Sequence, residues 1–311
     1  MDPQVAPCDC PRFSSLGPTP EDFIALIGGF PEKISLDVRV LDERTCNGYV
    51  RRLIEYTASG EMCVPAFLMV PQEVSWPTGA AKLPGVVAVH QDGNRTHRNF
   101  GKSEVVGLVG DADQAYGTEL CLRGHVVLCP DRPGFEARQG KPALGGARGE
   151  LFELHRAVDV LCELPQVDAA RIGVIGHSAG GMLAARLMFT DPRVRAGAVS
   201  CGALLGRWSA IPKDQLPPGY NIPKPSIPGF LEWGDHDAVL AGIAPRPYFE
   251  RRADSLGPAF DEELTRKARE RYAALGVPER FQYVASHEFV HSFPPDQREL
   301  CYAWLERWLE L

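Results

Sequence analysis

Apolar positions fall into two kinds of run along the chain. Between residues 35 and 70 they tend to alternate with polar ones. Leu36, Val38 and Val40 mark a strand over 35–42, and further strands are expected over 49–57 and 64–70, punctuated by Gly48 and Ser59-Gly60. Half-polar neighbours of this kind suit an antiparallel edge. Beyond residue 84 the runs become continuous: Gly85-Val86-Val87-Ala88-Val89, Val126-Val127-Leu128-Cys129, Ile172-Gly173-Val174-Ile175, and 194–200. Unbroken β-branched runs read as strands buried on both faces of a parallel sheet. Helical stretches separate them near 112–123, 150–163 and 180–190. A strand at 247–253 follows, then an amphipathic helix at 261–275 with Leu264, Ala268, Tyr272 and Leu275 on one face. A strand at 280–286 and a helix at 297–311 complete the series. Strands alternating with helices define an α/β class.

Two segments depart from this alternation. Residues 1–20 are Pro-rich and are expected as an extended arm, leading to a short helix from Pro20 capped by Thr19. Residues 1–34 thus stand before a single domain over 35–311. Between 202 and 247, Pro212, Pro217, Pro218, Pro223, Pro225 and Pro228 forbid a continuous helix or a central strand. That stretch is expected to form an irregular pocket wall or lid.

Composition narrows the function classes. Lys plus Arg number 33 against 40 Asp plus Glu, a net charge of −7, so the chain lacks the positive field that nucleic acid requires. No run of apolar residues is long enough to span a bilayer, and the first residues lack a basic start and an apolar core, so no membrane or secretory role is expected. Nine scattered cysteines, an odd number, suit a reducing compartment and a cytoplasmic location. Cys8-Asp9-Cys10 has no matching second pair, so it is not read as a metal site. Assembly of identical copies is left open.

The strongest chemical signal is Gly176-His177-Ser178-Ala179-Gly180, lying directly after a buried strand and before a helix. This is the context of a nucleophile elbow, in which glycines permit a sharp turn that lifts the serine above the sheet. A serine hydroxyl needs a base, and the base needs an orienting acid. After such an elbow the partners come in the order Ser, acid, His. Two histidines follow the last strand, in His287-Glu288-Phe289-Val290-His291. H-E-x-x-H also binds zinc when helical, but Pro294-Pro295 leaves a helix little room. His291 is favoured as base over His287 because it reaches further beyond the strand end. For the acid, Asp254 ends the strand that precedes the 261–275 helix, whereas Asp237 and Glu250 are alternatives.

Acyl transfer also needs two N–H donors for an oxyanion. Ala179 follows the nucleophile, and Gln91 lies in the loop after the 85–89 strand. Arg95, His97, Lys102, Glu104 and Glu136 sit in polar loops at strand ends, where α/β sheets bind ligands. Candidate substrate contacts are His90, Arg132, Trp208 and Trp233, with Tyr220 and Phe230 as further wall residues.

With these residues placed, the chain resembles the α/β-hydrolase superfamily, and within it the dienelactone hydrolase and acetyl xylan esterase-like branch. Ala244-Pro245-Arg246-Pro247 is similar to that branch's A-P-R-P segment. Residues 164–174 resemble its lead-in to the elbow, and His291-Ser292-Phe293 its G-H-x-F loop. The resemblance covers about residues 35–311. It implies a mostly parallel central sheet with an antiparallel N-terminal edge and helices on both faces, and it supports Asp254 as the acid. Departures are Arg251 where the branch often has Gly, Val290 in place of the Gly before the histidine, and Ser178 in place of the Cys of true dienelactone hydrolases.

The expected function is a serine-dependent carboxylic-ester hydrolase acting on a small-molecule ester without a cofactor. Amide, peptide or C–C hydrolysis by the same triad is the alternative, since leaving-group choice lies in pocket contacts. A non-catalytic ligand binder on the same scaffold is the third reading.

Overall fold

The computed structural model describes residues 19–72, 82–92, 100–216, 222, 224–286 and 291–309. Its strands are β1 Arg39–Cys46, β2 Tyr49–Ser59, β3 Met62–Pro71, β4 Leu83–Val89, β5 Val126–Pro130, β6 Val167–His177, β7 Val194–Ser200, β8 Tyr248–Arg252 and β9 Phe281–Ala285. The helices are α1 Pro20–Leu26, α2 Lys102–Val105, α3 Tyr116–Leu122, α4 Gly146–Glu163, α5 Ala179–Thr190, α6 Phe230–Trp233, α7 Asp235–Ile243, α8 Pro258–Ala274 and α9 Pro295–Leu309. The strands form one sheet in the order β1-β2-β3-β5-β4-β6-β7-β8-β9. β1, β2, β3 and β5 pair antiparallel. All other pairings are parallel.

The continuous apolar runs are explained by cores on both sheet faces. Val87, Val89 and Val174 point toward α4, α5, α7 and α8. Their neighbours Val86, Ala88 and Ile175 point to the opposite core, built with α3 and α9. Alternation along a strand therefore leaves no polar position on either side. α1 begins with a reciprocal cap, in which the Asp22 N–H donates to Thr19 Oγ1 and the Thr19 N–H donates to Asp22. Its Phe23 is buried against Phe189, Phe230 and Trp233. Among the described residues no helix is long and apolar enough to cross a membrane.

Two expectations need correction. The first strand begins at Arg39 rather than at 35, because Asp37 adopts φ 43° and turns the chain. Leu36 is buried and its carbonyl accepts from the Thr57 N–H, while Val38 and Val40 are 43% and 57% exposed. Their alternation does not mark a buried face.

The stretch 202–247 is not irregular throughout. The run of prolines ends at Pro228, and α6 and α7 form in the interval before Pro245. Gly234, at φ 157°, separates the two helices. Val239, Leu240 and Ile243 of α7 are buried, and the helix packs against α5 and α8. Asp235 ties the segment back, accepting from the Gly206 and Arg207 N–H groups at 2.9 and 3.0 Å.

Candidate active site

β6 ends at His177 and α5 starts at Ala179, so Ser178 must reverse the chain between them. It does so at φ 55°, ψ −124°. Such a conformation costs a non-glycine residue about 1–3 kcal/mol. Neighbouring glycines make the turn sterically feasible. A Cβ on Gly176 would lie 2.4 Å from the Gly180 carbonyl oxygen, and one on Gly180 would lie 2.1 Å from the Val89 carbonyl oxygen. The first turn of α5 thus abuts the end of β4. The Ser178 N–H donates to the Ser200 carbonyl on β7 at 2.8 Å, which fixes the elbow to the sheet.

Ser178 Oγ lies 2.7 Å from His291 Nε2, and His291 Nδ1 lies 2.7 Å from Asp254 Oδ2. When the ring is neutral, Nδ1–H donates to the carboxylate and Nε2 accepts from the serine hydroxyl. The His291 side chain is 47% exposed, whereas Asp254 is buried. Burial lowers the His291 pKa, but hydrogen bonds to Asp254 and Cys201 outweigh it and raise it to about 9. The loop is anchored by Phe293, which is buried against Tyr116 and stacks on His177 at 5.6 Å. His177 lies 4.8 Å from His291, ring to ring. Burial and the nearby His291 push its own pKa down to about 3, so it stays neutral.

The other candidate acids lie elsewhere. Glu250, Arg252 and Asp254 recur at a period of two along β8 and the residues after it, and all three are buried. Glu250 accepts from the Gly202 and Ala203 N–H groups and from the Tyr248 hydroxyl. The Arg252 guanidinium stands 3.5 Å from Glu250 and 3.3 Å from Asp254. Asp237 sits in the first turn of α7, paired with Arg207 at 2.9 Å and Lys267 at 3.0 Å. The structure brings neither Asp237 nor Glu250 to His291, because both carboxylates are engaged elsewhere.

Ala179 is the first residue of α5, where a backbone N–H has no partner within its own helix. Gln91 follows β4 and His90. His90 Nδ1–H donates to the Gln91 carbonyl at 2.7 Å, and Nε2 accepts from the Arg132 N–H at 3.0 Å. Arg132 Nη1–H donates to the His90 carbonyl at 3.2 Å, which fixes the peptide carrying the Gln91 N–H, while Glu104 accepts from the Gln91 side chain at 3.3 Å. His90 is 1% exposed, and burial, reinforced by Arg132, holds its pKa well below the usual imidazole value.

Several expected pocket residues are engaged with neighbouring side chains. His90 and Arg132 are buried, and Arg132 pairs with Asp92 and Glu150 at 2.8 and 2.6 Å. Lys102 is buried between Asp131 and Glu136. Glu136 also accepts from the Gly101 and Ser103 N–H groups. Trp233 and Phe230 stack on one another in the packing beneath α1. Trp208 donates from Nε1 to Glu263 at 2.7 Å and packs edge-on to Phe260. Arg95, His97, Tyr220, His287, Cys8 and Cys10 lie outside the described residues.

Two neighbours of His291 and Asp254 are not anticipated by the sequence patterns. Cys201 follows β7, the strand beside the nucleophile's own, and its position at a C-terminal strand end is the available signal. Arg252 is signalled by the run Glu250-Arg251-Arg252-Ala253-Asp254, four charges in five residues at the end of a strand.

Comparison with known proteins places the chain. Residues 83–309 match the model of the alpha/beta hydrolase family, and the chain belongs to that family. It is 26% identical to an inferred hydrolase, YtaP of Bacillus subtilis (strain 168), over 317 residues, covering 91% of this chain and 96% of that protein. Its fold is similar to an inferred acetyl xylan esterase from Bacteroides fragilis NCTC 9343, with TM-score 0.71, 16% identity, and coverage of 94% of this chain and 86% of that one. It is also similar to a glucuronoyl esterase from Solibacter usitatus, with TM-score 0.63, 15% identity, and coverage of 92% and 91%.

Proposed function

We propose that the protein is a serine-dependent carboxylic-ester hydrolase acting on a small ester. The observation that carries this is the continuous contact from Ser178 Oγ through His291 to Asp254, with both links at 2.7 Å. Ser178 attacks the ester carbonyl while His291 Nε2 takes its proton. Asp254 holds the imidazole in the required orientation and stabilises its charged form. The Ala179 and Gln91 N–H groups receive the oxyanion. His291 then protonates the departing alcohol, leaving an acyl-enzyme. The half-exposed ring next activates a water, which releases the acid and restores Ser178. The reading gains support from structural neighbours that carry esterase names. A short-chain aryl ester is the natural probe. Ser178→Ala should lower its turnover by a factor on the order of 10⁴–10⁶ and abolish labelling by a fluorophosphonate, with an unchanged melting curve. Wild-type turnover in that variant would sink the assignment.

A further inference from the structure

Cys201 takes no bond-making role in the proposed ester chemistry, yet its thiol stands beside His291 and Asp254. The residue leaves β7 at φ 51°, a conformation uncommon for a non-glycine side chain. Its N–H donates to the Arg251 carbonyl at 3.0 Å, which ties this turn to β8. The side chain is buried. Cys201 Sγ, a carboxylate oxygen of Asp254 and a ring nitrogen of His291 all lie within 4.8 Å of one another. Sulfur, imidazole nitrogen and carboxylate oxygen are together the donor set of zinc and its thiophilic relatives. Hard cations such as Mg²⁺ and Ca²⁺ prefer oxygen alone.

We propose that Cys201, Asp254 and His291 form an inhibitory site for a thiophilic divalent cation, Zn²⁺ or Cd²⁺. Tetrahedral bonds of roughly 2.0–2.3 Å hold donors about 3.3–3.7 Å apart, so His291 Nδ1 and Asp254, at 2.7 Å, must open while Cys201, which lies within 4.8 Å of both, closes on them. The half-exposed His291 can supply that movement and gives the cation a route from solvent. Binding moves protons: the thiol releases one to solvent, the cation takes the place of the hydrogen on His291 Nδ1, and the neutral ring then carries its proton on Nε2, facing Ser178. No electron is transferred. Thiolate and carboxylate contribute two negative charges, and the nearby Arg252 guanidinium offsets one of them. The bound imidazole then lacks its orienting carboxylate and no longer serves Ser178. This differs from the H-E-x-x-H reading, which would pair His291 with His287.

The effect on rate rests on the proposed role of His291, but the binding does not. The experiment therefore reads both, on the full chain freed of metal. Cd²⁺ is titrated into wild type, Cys201→Ser and Cys201→Ala while the ultraviolet thiolate-to-cadmium band is followed. Zn²⁺ is titrated into the same proteins during aryl-ester hydrolysis, each rate being normalised to its own metal-free value. Wild type should show one more cadmium–thiolate equivalent than either variant. Its Zn²⁺ midpoint should be lower by at least the roughly tenfold that even an outer-shell partner is worth to a metal site, and EDTA should restore its rate. Identical cadmium bands, or identical Zn²⁺ midpoints, would overturn the proposal. If the band difference appears in a protein that hydrolyses no ester, the metal site stands and the hydrolase reading falls.

Discussion

Two clusters of imidazole and charged side chains border the Ser178 elbow, and they are built from nearly the same residue types, with Arg252 in one and Lys102 in the other, to opposite ends. One holds His291, Asp254, Arg252 and Glu250. The other, beside the residues that follow β4 and β5, holds His90, Asp131, Lys102 and Glu136. In the first, His291 is 47% exposed and meets a serine hydroxyl on its solvent side. In the second, His90 is sealed, with both ring nitrogens committed to backbone groups. Lys102, Asp131 and Glu136 satisfy one another. Residue type alone does not make a reactive centre. The proposed reactive centre differs in having one open partner on an otherwise fixed chain of contacts, whereas the other network is closed.

The comparison is broken most easily by exchanging the two histidines. His291→Gln should cost at least about 10⁴-fold in kcat and leave stability nearly unchanged above about pH 9, where the ring's protonation no longer stabilises the fold. His90→Gln should cost about 1–3 kcal/mol of stability, because the Arg132 N–H and Gln91 carbonyl lose their partner. Its rate loss, through a displaced Gln91, should not exceed the 10²–10³-fold that one oxyanion donor is worth. Rate assays beside denaturant melts decide this, and the reverse ranking would discard the distinction. Next comes the acid. Asp254→Asn should lower kcat by about 10⁴-fold with the fold intact. Asp237→Asn should leave kcat alone and lower stability by about 1–3 kcal/mol, through its bonds to Arg207 and Lys267. A collapse of kcat in Asp237→Asn would reopen the choice of acid.

Lys102→Met probes the closed cluster directly. It leaves Asp131 and Glu136 facing one another without a cation. Burial already raises the Asp131 pKa to about 6, and Glu136 adds to the rise, while Lys102 opposes it. The expected loss is about 3–5 kcal/mol of unfolding free energy. A fall in kcat at unchanged stability would instead put Lys102 into the chemistry.

How much of this could be read beforehand differs between the two clusters. The Ser178 elbow is legible because Gly176 and Gly180 are needed at a fixed spacing by contacts within a few residues. The place of His291 is legible because it follows the last strand. Asp254 is harder, since Asp237 stands before an apolar run of its own at 238–243, and only the seat of β8 beside β7 separates them. The closed cluster is not legible at all. Lys102 meets Asp131 and Glu136, 29 and 34 positions away, through the packing of α2 over β5. For the same reason the aromatic residues Phe230 and Trp233 read as a pocket wall until the fold lays α1 across them. In the sheet, apolar continuity reveals the parallel strands, but the bend at Asp37 has no pattern to announce it.

The two imidazoles also part company in their protons, which gives the finest test. His291 is raised to about 9 by Asp254 and Cys201 against burial, while His90 is driven well below 6.5 by burial and Arg132. A base must be unprotonated, so kcat/KM should fall by about tenfold per pH unit below a midpoint near 9. Cys201→Ala removes one of the raising partners and should move that midpoint down. The same proton is linked to stability. Because the folded value lies above the ordinary 6.5, its stabilising contribution is complete below about 6.5 and is lost as pH rises through about 9. Ring resonances followed by NMR across this range should show one histidine titrating near the kinetic midpoint, and His90 remaining neutral throughout. A kinetic midpoint at 6.5 or below would mean that Asp254 and Cys201 do not hold the ring in solution, and the open cluster would lose the feature that sets it apart.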